Sequence, residues 1–211
     1  MISEVLSMLT KAGRILFLAA HTDDVELGCG ATAHRLAFLG SEIRTVVFSY
    51  PPSINVMEFE PEHIKACAVL GIKPGEQHLM NPRDLHADRK QILQILYDIN
   101  YQFKPTLVFC PCSYDMHQSH RVVFEETVRA FKYSSILGYE MPWNCLEFRG
   151  NLFSMLAQDD YQAKLDAVAC YKSQMQRTFF SNGVVGDLMR VRGKSINREY
   201  AEAFEAVRIV I

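Results

Sequence analysis

Short apolar runs alternate with amphipathic stretches along most of this chain. Ile15–Ala20 is continuously apolar and stops abruptly at His21-Thr22-Asp23-Asp24, after which a glycine-flanked segment enters a second amphipathic run. That pattern predicts a buried strand over Arg14–Ala20, a polar elbow, and a helix reaching about Leu39-Gly40, with Gly40 closing it. The alternation continues with a strand at Glu42–Ser49, a proline-bearing loop at Tyr50–Phe59, a helix at Glu60–Leu70 stopped by Gly71, and a short strand at Gln77–Met80. A polar loop at Asn81–Ala87 precedes a helix at Gln91–Phe103, whose stripe is Ile92, Ile95, Leu96 and Ile99 and which Pro105 ends. A buried strand at Thr106–Cys110 then runs through Ser113–His120 into a helical pattern over Ser119–Lys132.

The flanks read less regularly. Met1–Gly13 is expected as a short leading helix, Ser135–Glu140 and Leu152–Met155 as short strands, and Asp160–Gln174 as a helix. Phe179–Asn197 is glycine-punctuated and reads as irregular, and Tyr200–Ile211 as a closing helix passing into an apolar tail.

Strands followed at once by helices argue for an α/β protein, a three-layer Rossmann-like fold with a mostly parallel sheet and its site at the carboxyl ends of the strands. Two strand-to-helix elbows carry histidines, His21 in the first and His117 and His120 in the second. In such a sheet both elbows lie at one edge, so residues about a hundred positions apart can meet. One imidazole and two carboxylates within four residues bring like charges together, which a cation or a shared proton must relieve, and a divalent metal is the economical choice. The bland alternative is a helix N-cap at Asp23 or Asp24 with His21 filling a loop.

The 211 residues suit one domain spanning 1–211. A formal charge of −2 with interspersed signs gives no basic stripe, which argues against nucleic acid. No basic, apolar leader opens the chain and no run approaches the ~20 apolar residues of a membrane span, so a cytoplasmic protein without a membrane anchor is expected. Self-association into a homo-oligomer stays open. The six cysteines form no C-x-x-C pair and are expected as reduced, mostly buried thiols.

Gly28-Cys29-Gly30-Ala31-Thr32-Ala33 matches the letters of a dinucleotide fingerprint, but acidic residues precede it where a pyrophosphate would sit. A different resemblance is specific. Ala20-His21-Thr22-Asp23-Asp24-Val25-Glu26-Leu27-Gly28-Cys29-Gly30-Ala31-Thr32 resembles the A-H-P-D-D-x-E-x-G-x-G-G-T motif of the LmbE-like, or PIG-L, family of metal-dependent N-deacetylases. His117-Gln118-Ser119-His120 is similar to its H-x-D-H, Lys164 with Tyr171-Lys172-Ser173-Gln174 to its K…Y-x-S-Q, and Tyr200–Phe204 to its Y-A-E-A-F.

The resemblance implies a Zn²⁺ site, with Fe²⁺ as the other fitting ion, held by His21, Asp24 and His120. It implies Asp23 as general base and His117 as the electrostatic or acid partner, in its protonated form. Two imidazoles and a carboxylate leave an open position for water, as catalytic zinc requires. The implied reaction removes acetate from an N-acetylglucosamine-type sugar or a small-molecule conjugate of it. Tyr50, Arg83, Trp143 and Arg149 are candidates for holding that conjugate. Three departures stand out: Thr22 for proline, Ala31 for glycine, and Ser119 for an acid, which leaves Asp115 as the nearby carboxylate able to orient a histidine. A non-catalytic metal- or sugar-binding protein on the same scaffold is the competing expectation. Glu26 is expected as a helix-start charge, and His34, His63, His78 and His86 as surface or core histidines.

Overall fold

The computed structural model describes residues 13–50, 56–181 and 183–210. Strands β1 (Arg14–Ala19), β2 (Glu42–Ser49), β3 (Glu76–Met80), β4 (Leu107–Pro111) and β5 (Ser135–Tyr139) run parallel, and β7 (Tyr200–Arg208) and β6 (Leu152–Leu156) join antiparallel. The sheet order is β3-β2-β1-β4-β5-β7-β6. Helices α1 (Asp24–Phe38), α2 (Val56–Val69), α3 (Arg89–Phe103), α4 (Gln118–Ala130), α5 (Gln158–Val168), α6 (Thr178–Ser181) and α7 (Val184–Lys194) accompany it, with a 3₁₀ turn at Lys172–Gln174. The predicted α/β class with a mostly parallel sheet is what forms. The order reverses on either side of β1, so β1 and β4 diverge to separate helices at their carboxyl ends and leave a crevice there.

Continuous apolar strands follow from burial on both faces. Phe17 and Phe109 stack at 4.7 Å on one face among Leu27, Tyr139 and Phe204, while Leu16, Leu18 and Val108 face Ile92, Leu96 and Val123 on the other. Gly28 lies against Tyr139 so closely that a Cβ would come within 2.3 Å of the ring. Helix α1 kinks at Cys29 (φ −146°, ψ 24°). There the Glu202 carboxylate accepts the Ala31 and Thr32 N–H groups at 3.2 and 2.8 Å, and Lys164 donates to it at 2.6 Å. An inserted carboxylate that takes over backbone donors is an identifiable cause of a kink.

Several expectations change. Met1–Gly13 lies almost entirely outside the described residues. The loop expected to run to Phe59 gives way to helix at Val56, and Pro61 lies inside α2. The helix expected over Asp160–Gln174 begins at Gln158, ends at Val168 and is followed by the 3₁₀ turn. Phe179–Asn197 is largely helical: Gly183, at φ +74°, starts α7 rather than breaking it. The closing helix is instead β7, where Tyr200, Ala201, Glu202, Ala203 and Phe204 are all buried between β5 and β6. Its alanines and glutamates favour helix, and pairing on both edges overrides that preference. All six cysteines are free thiols, four of them buried. Among the described residues no helix is long and apolar enough to cross a membrane.

Candidate active site

The first elbow is held at both ends. Ser49 donates through its N–H and its hydroxyl to the Ala20 carbonyl, at 2.9 and 2.7 Å, fixing where β1 stops. The His21 N–H then donates to Asp24 Oδ2 at 2.8 Å, folding the turn back on itself so that the His21 ring and the Asp24 carboxylate face the same side. From below, Tyr171 donates to the Thr22 carbonyl at 2.7 Å and lies 3.0 Å from Glu26 Oε1, which is 3.4 Å from His63 Nδ1.

The second elbow leaves β4 through Cys112. Asp115, 1% exposed, accepts the His117 N–H at 2.8 Å and sits 2.6 Å from His120 Nδ1. Asn144 donates to the same carboxylate at 3.3 Å. His117 caps α4: its Nδ1 accepts the Ser119 N–H at 3.3 Å. Ser119 donates to the Pro82 carbonyl at 2.7 Å, and Gln118 to the Arg83 carbonyl at 3.2 Å, which draws the loop after β3 against the site. Where the sequence suggested a missing acid, Ser119 has a different job, and Asp115 supports the ring of His120 rather than that of His117.

The two elbows meet. His21 Nδ1 is 3.2 Å from His120 Nε2, His120 Nε2 is 3.2 Å from Asp24 Oδ1, and His21 Nδ1 is 3.6 Å from Asp24 Oδ2. Donors at about 2.0–2.1 Å around a tetrahedral ion lie roughly 3.3 Å apart, so this donor set suits a single zinc-sized ion. The His117 ring stands with its centroid 4.9 Å from that of His21 and 4.7 Å from that of His120. Asp23 is buried beside Asp24 and lines the same cavity of about 430 Å³. Arg83, Trp143, Asn144, Arg177 and Phe179 line the same cavity.

Electrostatics separates the neighbours. Burial and then the Asp24 charge push Asp23 up to about 6. Burial acts the same way on Asp24, but His120 and His21 outweigh it and hold that carboxyl well below its usual range. Burial disfavours charge on His120 too, yet Asp24 and Asp115 raise it to about 10. His117 goes the other way, down to about 4, through burial and the charges of His120 and His21. A neutral His117 therefore replaces the protonated one expected from sequence. Because its Nδ1 accepts a hydrogen bond, the proton of the neutral ring belongs on Nε2.

Sequence reasoning missed two features. Glu26 sits in the first turn of α1, as expected of a helix-start charge, but it is fully buried, and His63 joins it with Cys67 in a buried group of potential metal donors separate from the group of His21, His117 and His120. The signal available was the i, i+4 spacing of His63 and Cys67, which puts both on one face of α2. Phe179, from the stretch read as irregular, and Arg177, from the few residues before it that were given no element, also line the cavity. Arg149, a sequence candidate, is not among the cavity's lining residues.

A family model described as PIG-L, GlcNAc-PI de-N-acetylase, matches residues 16–131, more than half of the chain. The protein YaiS of Escherichia coli K12, described as an uncharacterized deacetylase, is 30% identical over 179 residues, covering 81% of this chain and 97% of YaiS. N,N′-diacetylchitobiose deacetylase from Pyrococcus horikoshii superposes with a TM-score of 0.78 at 18% identity, over 95% of this chain and 86% of that one. GalB, the 4-carboxy-2-hydroxymuconate hydratase of Pseudomonas putida KT2440, does so with a TM-score of 0.80 at 18% identity, over 94% of this chain and 98% of its own. Structural likeness at such identity speaks to the fold alone, and a deacetylase and a hydratase share it. Sequence decides the kinship: this chain belongs to the PIG-L (LmbE-like) family.

Proposed function

We propose that the protein is a zinc-dependent N-deacetylase that hydrolyses the acetamide of an N-acetylglucosamine-type amino sugar or its conjugate, releasing acetate and a free amine. The observation that supports this reading is the approach of His21, Asp24 and His120 donor atoms to 3.2–3.6 Å of one another, with Asp23 lining the same cavity. A divalent ion, Zn²⁺ or Fe²⁺, held by those three residues would polarise the amide carbonyl and acidify water.

The remaining work falls to the chain's own groups. Asp23, with its pKa near 6, is ionised enough at neutral pH to take a proton from the attacking water and basic enough to hold it. Protonated in that way, it can return the proton to the leaving nitrogen as the C–N bond breaks. His117 contributes an Nε2–H at the cavity wall, a neutral donor to the oxygen on which negative charge develops. A neutral donor suits the task, because a cationic ring would repel the ion and His21. The Asp115 carboxylate against His120 argues against a decayed, binding-only scaffold, since the support that Ser119 does not give is supplied.

The test is a panel of N-acetyl amino sugars and their glycosides incubated with metal-replete protein, with acetate and primary amine both quantified. Equimolar release of the two is expected. Release of neither from any member, with the metal retained, contradicts the reading.

A further inference from the structure

We propose that Cys112 and Cys145 form an oxidative modification site, a thiol pair that hydroperoxides convert to a disulfide, clamping the cavity-wall residues 141–144 onto the second elbow. The inference concerns the wall of the cavity and is independent of the reaction proposed above.

The two sulfurs stand 3.6 Å apart although 33 positions separate them along the chain. A disulfide places its sulfurs about 2.05 Å apart, so the pair is one small movement short of a bond. Cys112 is the fixed partner. Its N–H donates to the Tyr139 carbonyl at 3.2 Å, and its Cα packs so tightly on Gly138 that a Cβ there would come within 2.7 Å of it. Cys145 lies outside the named strands and is the partner that can give. An isolated antiparallel bridge joins it to Asp115, and beside it the Met116 N–H donates to the Asn144 carbonyl at 3.1 Å.

What the bond would hold belongs to the site. Met141, Trp143 and Asn144 line the cavity, and the Asn144 side chain donates to Asp115, the carboxylate behind His120. A covalent tie from Cys112 to Cys145 removes conformations in which that wall parts from the elbow.

The chemistry divides between the two sulfurs. Cys145 is half-buried and Cys112 fully buried, so a peroxide meets Cys145 first. The hydrogen bond from Cys112 holds the Cys145 thiol below its ordinary value, against the effect of burial, and so favours the reactive thiolate. The Cys145 sulfur attacks a peroxide oxygen: an S–O bond forms, the O–O bond breaks, and water or an alcohol leaves with a proton. The Cys112 sulfur then attacks the sulfur of that sulfenic acid. An S–S bond forms, the S–O bond breaks, and a second water carries off the Cys112 proton. Two electrons pass in all from the thiols to the peroxide.

The experiment treats the native protein with graded hydrogen peroxide, alkylates the remaining thiols after denaturation, and maps the peptides by mass. Wild type is expected to lose two of its six thiols together, to yield one peptide linked through Cys112 and Cys145, and to recover both thiols with dithiothreitol. Cys112→Ser should stall with Cys145 as a sulfenic acid that dimedone traps, and Cys145→Ser should keep its thiols at the same peroxide concentration. Hydrogen exchange then reads the clamp: amides of residues 113–116 and 141–145 should slow about tenfold in the oxidised wild type and not in Cys145→Ser. The wild-type map decides even where a variant fails to fold. Both thiols left free in peroxide-treated wild type, a disulfide through other cysteines, or exchange that is unchanged or faster in the linked protein overturns the proposal.

Discussion

Asp115 Oδ2 lies 2.6 Å from His120 Nδ1, and the far nitrogen of that ring, Nε2, lies 3.2 Å from both Asp24 and His21. A carboxylate behind a ligating imidazole fixes its tautomer and aim. Replacing Asp115 by Asn is therefore expected to weaken metal affinity about 10–100-fold without unfolding the protein, as read by chelator competition. Ser119→Asp should bring no gain, because the serine hydroxyl already donates to the Pro82 carbonyl and a carboxylate there would face an acceptor. A rise in activity in that variant would show that the site is under-supported after all.

Metal affinity should climb with pH. In the metal-free protein His120 holds its proton up to about 10, against 6.5 for an unperturbed imidazole, so that proton stabilises the fold fully below about 6.5 and progressively less toward 10. A metal must displace it, and binding then releases a proton. The dissociation constant is expected to fall up to about tenfold per pH unit between roughly 6.5 and 10. Calorimetry in buffers of different ionisation heat measures the protons released; a flat profile contradicts the assignment of His120.

Asp23 and Asp24 are adjacent but are expected to fail differently. Asp23→Asn should retain metal and lose most of the turnover, since it removes a base. Asp24→Asn should lose metal as well, because it removes a donor. His117→Ala should behave like Asp23→Asn, with turnover down roughly 10²–10³-fold and metal kept. Elemental analysis alongside single-turnover rates separates these outcomes, and equal metal loss in the Asp23 and Asp24 variants would move the base elsewhere.

Much of this arrangement was legible in the sequence, for a physical reason. Strands buried on both faces, such as Ile15–Ala20, have almost no freedom to be anything else, and a parallel sheet brings the ends of β1 and β4 to one edge whatever the intervening chain does. Thus His21, Asp24, His117 and His120 could be grouped before any distance was known. What stayed hidden depended on contacts with distant residues. The strand at Tyr200–Arg208 is made by pairing with β5 and β6 and not by local preference. The neutral state of His117 depends on burial and on the charges of His120 and His21. The role of Ser119 depends on a carbonyl 37 positions away.

The kink in α1 supplies a stability test remote from the chemistry. Glu202, 4% exposed, bonds two helix N–H groups and the buried Lys164 together. Glu202→Ala leaves that lysine charge buried and unpaired and is expected to cost about 3–5 kcal/mol in denaturant unfolding. A Glu202→Ala, Lys164→Met double variant should recover part of the loss, and no recovery would place the whole effect in the helix donors.

The two elbows are expected to act as one metal-assisted deacetylation site. Titrating chelator-stripped protein with Zn²⁺ while recording acetate release from a responsive N-acetyl amino sugar tests it most directly. Activity should rise linearly, saturate at one equivalent per chain, and be absent at every ratio in the His120→Ala protein. Full activity in the stripped protein, or undiminished activity in His120→Ala, would contradict it.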